Sequence, residues 1–171
     1  MQRRAFLLTA ACTAPLALVS LNGCGFALRQ APSFAFSTLY SGLPESSPLG
    51  VELRRSLKAT GKVRVITDVR QINEAQVVLE VLLDQREKVV LSLNVTGQVR
   101  EFQLRLRFAF KLRTLAGKEL IPPSEIALQR DISFNESAVL AKDAEEAFLY
   151  RDMQSDVVQQ LMRRLAAVKS L

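Results

Sequence analysis

The feature that most limits what this chain can fold into is the stretch from residue 99 to 113, which alternates almost without fault. Phe102, Leu104, Leu106, Phe108, Phe110 and Leu112 fall on one parity. Glu101, Gln103, Arg105, Arg107, Lys111 and Arg113 fall on the other, with Ala109 interrupting the polar row. Side chains of a strand point to opposite faces in turn, so the pattern requires a long strand with one greasy and one polar side. Other elements must cover the greasy side. The polar side lines up Arg105, Arg107, Lys111 and Arg113, each able to meet a phosphate or carboxylate, the arginines bidentately. A solvated basic face kept for solubility is the blander reading. On charge alone that reading wins, because exposed charges contribute little individually.

The flanking segments supply partners for this strand. Val77, Leu79, Val81 and Leu83 alternate in the same way, less regularly through Val89, Leu91 and Leu93. Asn94-Val95-Thr96-Gly97 follows, with Asn and Gly suited to positive φ, so the two segments form an antiparallel hairpin. After a turn at Ala116-Gly117-Lys118, the residues Ile126, Leu128, Ile132 and Phe134 predict a last strand. Pro122-Pro123 is expected to bar regular strand before it. Upstream, a short strand is predicted at 34–40 and a loop at 41–47. Ser47-Pro48 then offers a cap and a first helical proline. Leu49, Leu53 and Leu57 line one face of that helix, Gly61 stops it, and residues 63–66 make a second short strand. Strand, helix and strand in this order predict a right-handed crossover on a shared sheet. From about 139 to 168 the period becomes helical, with Leu149, Met153, Val157, Leu161 and Leu165 in one stripe. Core packing accounts for that stripe, methionines included. The expected fold is therefore α+β: a two-layer sandwich, one mixed four- to five-stranded sheet with two helices packed on one face.

The amino-terminal end reads as a lipoprotein signal. Arg3 and Arg4 precede an apolar run at 5–19 that is too short and too broken by Pro15 to span a bilayer. The paired arginines are also compatible with twin-arginine export. Leu21-Asn22-Gly23-Cys24 resembles the bacterial lipobox, which directs cleavage before the Cys and its acylation. The expected organisation is a signal peptide at 1–23, a lipidated tether at 24–33 and a single domain at 34–171. With Cys12 in the signal and Cys24 acylated, no thiol is left for a disulfide, a metal or nucleophilic chemistry. Acyl chains on Cys24 give stable membrane anchoring when two or more are present. Gly25 after the Cys, rather than Asp, fits release to the outer membrane.

Little in the sequence supports catalysis. The chain has no His, which removes the commonest general base and metal ligand. There is no Gly-rich phosphate loop, no metal-ligand spacing and no Ser nucleophile signature, so no cofactor is expected. Glu145 and Glu146 sit where a helix dipole favours acidic residues. Of 23 Lys and Arg, Arg3 and Arg4 fall in the signal; the rest only modestly exceed the 17 Asp and Glu. With no Trp and no aromatic-basic array to stack bases, nucleic acid is not an expected partner.

Several segments together resemble one family. Gly23-Cys24-Gly25-Phe26-Ala27-Leu28-Arg29 is similar to the Gly-Cys-Gly-aromatic-x-Leu-Arg start of the lipopolysaccharide-assembly lipoproteins called LptE. Gly97-Gln98-Val99-Arg100-Glu101-Phe102-Gln103-Leu104 resembles the family's hairpin, and Leu140-Ala141-Lys142-Asp143, then Glu145, the segment opening its last helix. The resemblance implies a non-enzymatic lipoprotein held on the periplasmic side of the outer membrane. It would sit in the lumen of the LptD β-barrel, support barrel assembly and bind lipopolysaccharide on its way to the outer leaflet. It implies lipopolysaccharide contacts at Lys142 and, because Asn94-Val95-Thr96 carries no basic residue, at Arg100 and the cationic row behind it. The rival from another class is a generic outer-membrane lipoprotein acting as a periplasmic scaffold without a lipid ligand.

Overall fold

The computed structural model describes residues 32–171. The signal segment, Cys24 and the tether up to residue 31 lie outside the described residues. The chain forms β1 (Thr38–Ser41), α1 (Pro48–Ala59), β2 (Arg64–Ile66), β3 (Val77–Leu93), β4 (Val99–Thr114), β5 (Glu119–Ser133) and α2 (Val139–Ala166). A short 3-10 helix, Val69–Glu74, leads into β3. The strands make one sheet in the order β2-β1-β3-β4-β5. β1 runs parallel to both β2 and β3, and β3-β4 and β4-β5 are antiparallel hairpins, so the sheet is mixed as expected.

Local chemistry sets the boundaries. The Ser47 hydroxyl accepts from the Gly50 N–H at 3.3 Å and Pro48 opens α1, so cap and proline act where the sequence placed them. At the β3-β4 turn, Gly97 adopts φ 84° and its N–H donates to the Asn94 carbonyl at 3.0 Å. The first strand is shorter than its sequence signal: Phe34 and Phe36 precede it, and Phe36 packs into the core without joining the ladder.

The core lies between sheet and helices. Leu104, Leu106, Phe108, Phe110 and Leu112 of β4 are all fully buried. Against them pack Leu49, Leu53 and Leu57 of α1 and Met153, Val157, Leu161 and Leu165 of α2. Among the described residues the buried cluster runs from Phe36 to Leu165, so the compact unit Pro32–Leu171 has a core of its own. Gln154 of α2 is buried yet satisfied: its amide donates to Glu52 of α1 at 2.6 Å and accepts from Arg86 of β3 at 2.7 Å. One polar side chain thus ties both helices to the sheet without an orphaned group.

Two irregularities correct or explain the sequence reading. β3 and β4 pair as Val81↔Phe110 and then Leu83↔Ala109, with Leu82 bulged out and half exposed. An extra residue reverses the parity beyond it, so Asp84, Arg86 and Lys88 turn to the helix side, opposite Phe108, Leu106 and Leu104. That is why alternation weakens along β3. The expectation that Pro122-Pro123 would bar strand is overturned: β5 runs through both. Its register steps from Phe110↔Ser124 to Leu112↔Ile121, leaving the prolines in the irregular step of an edge strand. A missing N–H there costs no ladder bond.

β1 accompanies β3 only as far as the pair Ser41↔Leu79, where the Gly42 N–H makes a last bond to the Leu79 carbonyl at 2.9 Å. Beyond that point β3, β4 and β5 continue as a long blade, and the β3-β4 turn is its tip.

Candidate functional site: the uncovered sheet face

The polar parity of β4 carries the predicted cations, but it is not a bare positive row. Arg107 meets the Glu125 carboxylate of β5 through Nε at 2.6 Å and Nη2 at 3.2 Å. Lys111 contacts Glu80 of β3 at 2.8 Å, and Arg113 donates to the other oxygen of the same carboxylate. Arg105 donates to the neutral Gln103 amide oxygen at 2.7 Å and faces Glu87 in the ladder. Gln103 in turn donates to Asp131 of β5 at 3.0 Å. The face is therefore a charge ladder, with a basic central strand between two strands that present carboxylates.

The electrostatics follow from these contacts. Hydrogen bonds from Lys111, then Arg113, hold the Glu80 carboxyl below the usual carboxylate range. Arg107 does the same to Glu125, and Glu125 raises the Arg107 guanidinium in return. A phosphate approaching Arg107, Lys111 or Arg113 must displace a carboxylate already in place. Composition and spacing could not reveal Glu80 as the partner. Counting back from the Leu93↔Val99 pair would put Val81 opposite Lys111, and only the bulge at Leu82 brings Glu80 there.

The other two predicted contacts lie apart from that row, Lys142 on α2 and Arg100 at the register shift near the hairpin tip. Lys142 donates to the Ser133 hydroxyl at 3.0 Å and pairs with Glu145 at 2.9 Å. Arg100 is exposed at the start of β4, and its guanidinium has no hydrogen bond or ion pair among the described residues. The structure thus divides the six candidates: the cationic row on the open face, Lys142 on α2, and Arg100 unpaired at the register shift near the hairpin tip. The lipidation candidate, Cys24, lies outside the described residues.

A shallow cleft opens where β3 passes α2, lined by Arg86, Lys88, Asp143, Glu146, Ala147, Tyr150 and Arg151. Its charges are mostly spent internally. Lys88 pairs with Glu146 at 2.6 Å and lies 4.3 Å from the Phe102 ring centroid. Arg86 stacks over Tyr150 at 5.6 Å, and the Tyr150 hydroxyl donates to the Glu87 carbonyl at 2.7 Å. Burial, then the Glu146 charge, raises the Tyr150 phenol above its ordinary range. No group of three or more potential metal ligands occurs among the described residues. No described helix is long and apolar enough to cross a membrane.

Comparison with known proteins agrees with this architecture. The family model described as "LptE: Lipopolysaccharide-assembly" matches residues 36–165. The LPS-assembly lipoprotein LptE of Pectobacterium atrosepticum is 28% identical over 156 residues, covering 90% of this chain and 82% of the relative. That of Yersinia enterocolitica is also 28% identical over 156 residues, covering 90% of this chain and 73% of the relative. Among solved structures, an uncharacterized lipoprotein B from Nitrosomonas europaea superposes with TM-score 0.70 at 35% identity, over 84% of this chain and 92% of its own. The rare lipoprotein B from Shewanella oneidensis superposes with TM-score 0.62 at 25% identity, over 76% of this chain and 92% of its own. Carrying the family's pattern across both helices and all five strands, this chain belongs to the LptE family of lipopolysaccharide-assembly proteins.

Proposed function

We propose that this protein is an outer-membrane lipoprotein, anchored through Cys24, that plugs and helps assemble an LptD-type β-barrel. In that position it binds lipopolysaccharide during transport to the outer leaflet. The observation that carries the reading is the uncovered face of the β3-β4-β5 blade, with its charges largely compensated across strands. Membrane barrels have polar interiors, and a polar face without a strong single-sign field suits such a lumen. Length supports the same reading. From Val77, beside the start of β1, to Leu93, β3 spans about 50 Å at strand rise. A bilayer with its headgroups is roughly 40–45 Å thick. A blade anchored at one surface would reach the other.

Within this reading Arg100 and Arg105 are the first candidates for lipopolysaccharide phosphates, because neither is held by a carboxylate contact. Arg107, Lys111 and Arg113 serve the barrel face, and reach a phosphate only by exchanging Glu125 or Glu80. Lys142 lies near Arg100's end of the blade and makes the lesser contact. The test is to purify wild type and Arg100→Glu/Arg105→Glu, then measure lipopolysaccharide binding and capture of the barrel protein separately. Two lost charge-assisted contacts should weaken lipopolysaccharide binding at least about tenfold, even after screening by water and salt. Unchanged affinity at low salt would remove the ligand role from these residues. Failure of the wild-type chain to copurify with a barrel would favour the periplasmic scaffold instead.

A further inference from the structure

The eleven residues 89–99, Val-Val-Leu-Ser-Leu-Asn-Val-Thr-Gly-Gln-Val, contain no charged side chain. They form the tip of the β3-β4 hairpin, beyond the reach of α1 and α2. Val90, Leu91, Leu93 and Val95 are 48%, 47%, 57% and 106% exposed. The apolar groups lie on both sides of the ribbon. Val90 pairs with Phe102 on the helix parity, whereas its neighbour Val89 pairs with Gln103 on the open parity. A protein surface or an added strand would cover one side or one edge of such a ribbon. A fluid apolar phase covers both.

The backbone of the turn, Asn94 to Gln98, is prepared for loss of water. The Asn94 side-chain oxygen accepts from the Thr96 N–H at 3.0 Å, the Thr96 hydroxyl at 2.7 Å and the Gln98 N–H at 2.9 Å. The Asn94 N–H donates to the Gln98 carbonyl at 2.8 Å, and the Gly97 N–H to the Asn94 carbonyl at 3.0 Å. Groups already bonded within the turn cost far less to desolvate than free ones. At the base of the uncharged stretch, the nearby carboxylates of Glu101 and Glu136 hold Ser92 and Gln98, while Arg100 has no partner among the described residues. An unpaired guanidinium immediately behind an apolar tip is complementary to an anionic headgroup lying above hydrocarbon.

We infer that the hairpin tip, residues 89–99, inserts shallowly into the hydrocarbon of an anionic lipid surface, with Arg100 at the headgroup. The unpaired outer edge of β3 below the tip keeps the insertion shallow. This rests on the proposed function only for where the lipid comes from.

The chain has no Trp, so Val95→Trp gives a single fluorescent reporter at the tip. Val69→Trp, at a 65%-exposed site on the 3-10 helix before β3, gives a control at the blade's other end. Both are made in the self-contained unit 32–171 and titrated with vesicles of phosphatidylcholine alone or mixed with phosphatidylglycerol. The tip reporter should shift to the blue on the anionic vesicles and be quenched by bromines on the acyl chains, while the control stays unchanged. Arg100→Ala should lower partitioning onto the anionic vesicles about fivefold, the equivalent of about 1 kcal/mol for one surface cation. No shift at the tip, or equal shifts at both sites, would overturn the inference. A tip reporter silent on vesicles but shifted by the barrel partner would overturn it too, making the tip a protein contact. Barrel capture is read on the same samples: its failure in wild type counts against the plug, and a vesicle-bound tip would still stand.

Discussion

Phe108→Ala tests the assignment of faces on which the rest depends. The Phe108 side chain is fully buried, stacks on Phe110 with centroids 5.7 Å apart and lies in the cluster formed with both helices. Truncating a buried Phe costs about 3–5 kcal/mol, the loss of transfer free energy together with the cavity left behind. The stacked pair, at roughly 0.5–1.5 kcal/mol, is part of that total. A domain of this size is stable by about 5–15 kcal/mol, so the variant should fold but melt roughly 10 °C lower. The decisive comparison is its chain neighbour. Arg107 points to the opposite face and touches Glu125 at the surface, so Arg107→Ala should barely move the midpoint. Urea unfolding followed by circular dichroism on the unit 32–171 would read both. A lowered midpoint with unchanged slope is expected for Phe108→Ala alone. Equal effects at 107 and 108, or none at 108, would refute the alternation that organises the fold.

Acid should destabilise the blade through Glu80 and Glu125, whose carboxyls are depressed in the folded state. Stability they contribute is present above the unfolded carboxylate range, about pH 4–5, and is lost as pH falls through the lower folded values. Lys111→Met/Arg113→Met should flatten part of that acid slope in a pH series of unfolding curves. Gly42→Ala should destabilise by about 1–3 kcal/mol, since the added Cβ would lie 2.9 Å from the Leu79 carbonyl oxygen that Gly42 itself bonds; a neutral effect in thermal melts would mean the loop relaxes freely. Cys24→Ala should abolish incorporation of labelled fatty acid and leave an uncleaved precursor, and normal labelling would remove the anchor from the proposal.

Strand parity, helix period and caps are local, and the sequence determined them unaided. Alternation through 102–112 specified which side of β4 is buried, because a period of two admits only one such division. Ser47-Pro48 and the stripe from Met153 to Leu165 likewise specified where α1 starts and which face of α2 is apolar. What the sequence left open depends on register between segments. The bulge at Leu82 sends Asp84, Arg86 and Lys88 to the helix side and brings Glu80 to Lys111 and Arg113, turning an expected cationic row into a compensated ladder. Pro122-Pro123 is tolerated because β5 lies at the edge, a place in the sheet that no property of the prolines discloses. The isolation of Arg100 and the bareness of the tip are tertiary in the same sense. Each follows from where the helices and β1 stop covering the blade, and the balance of contacts across strands and layers sets that limit.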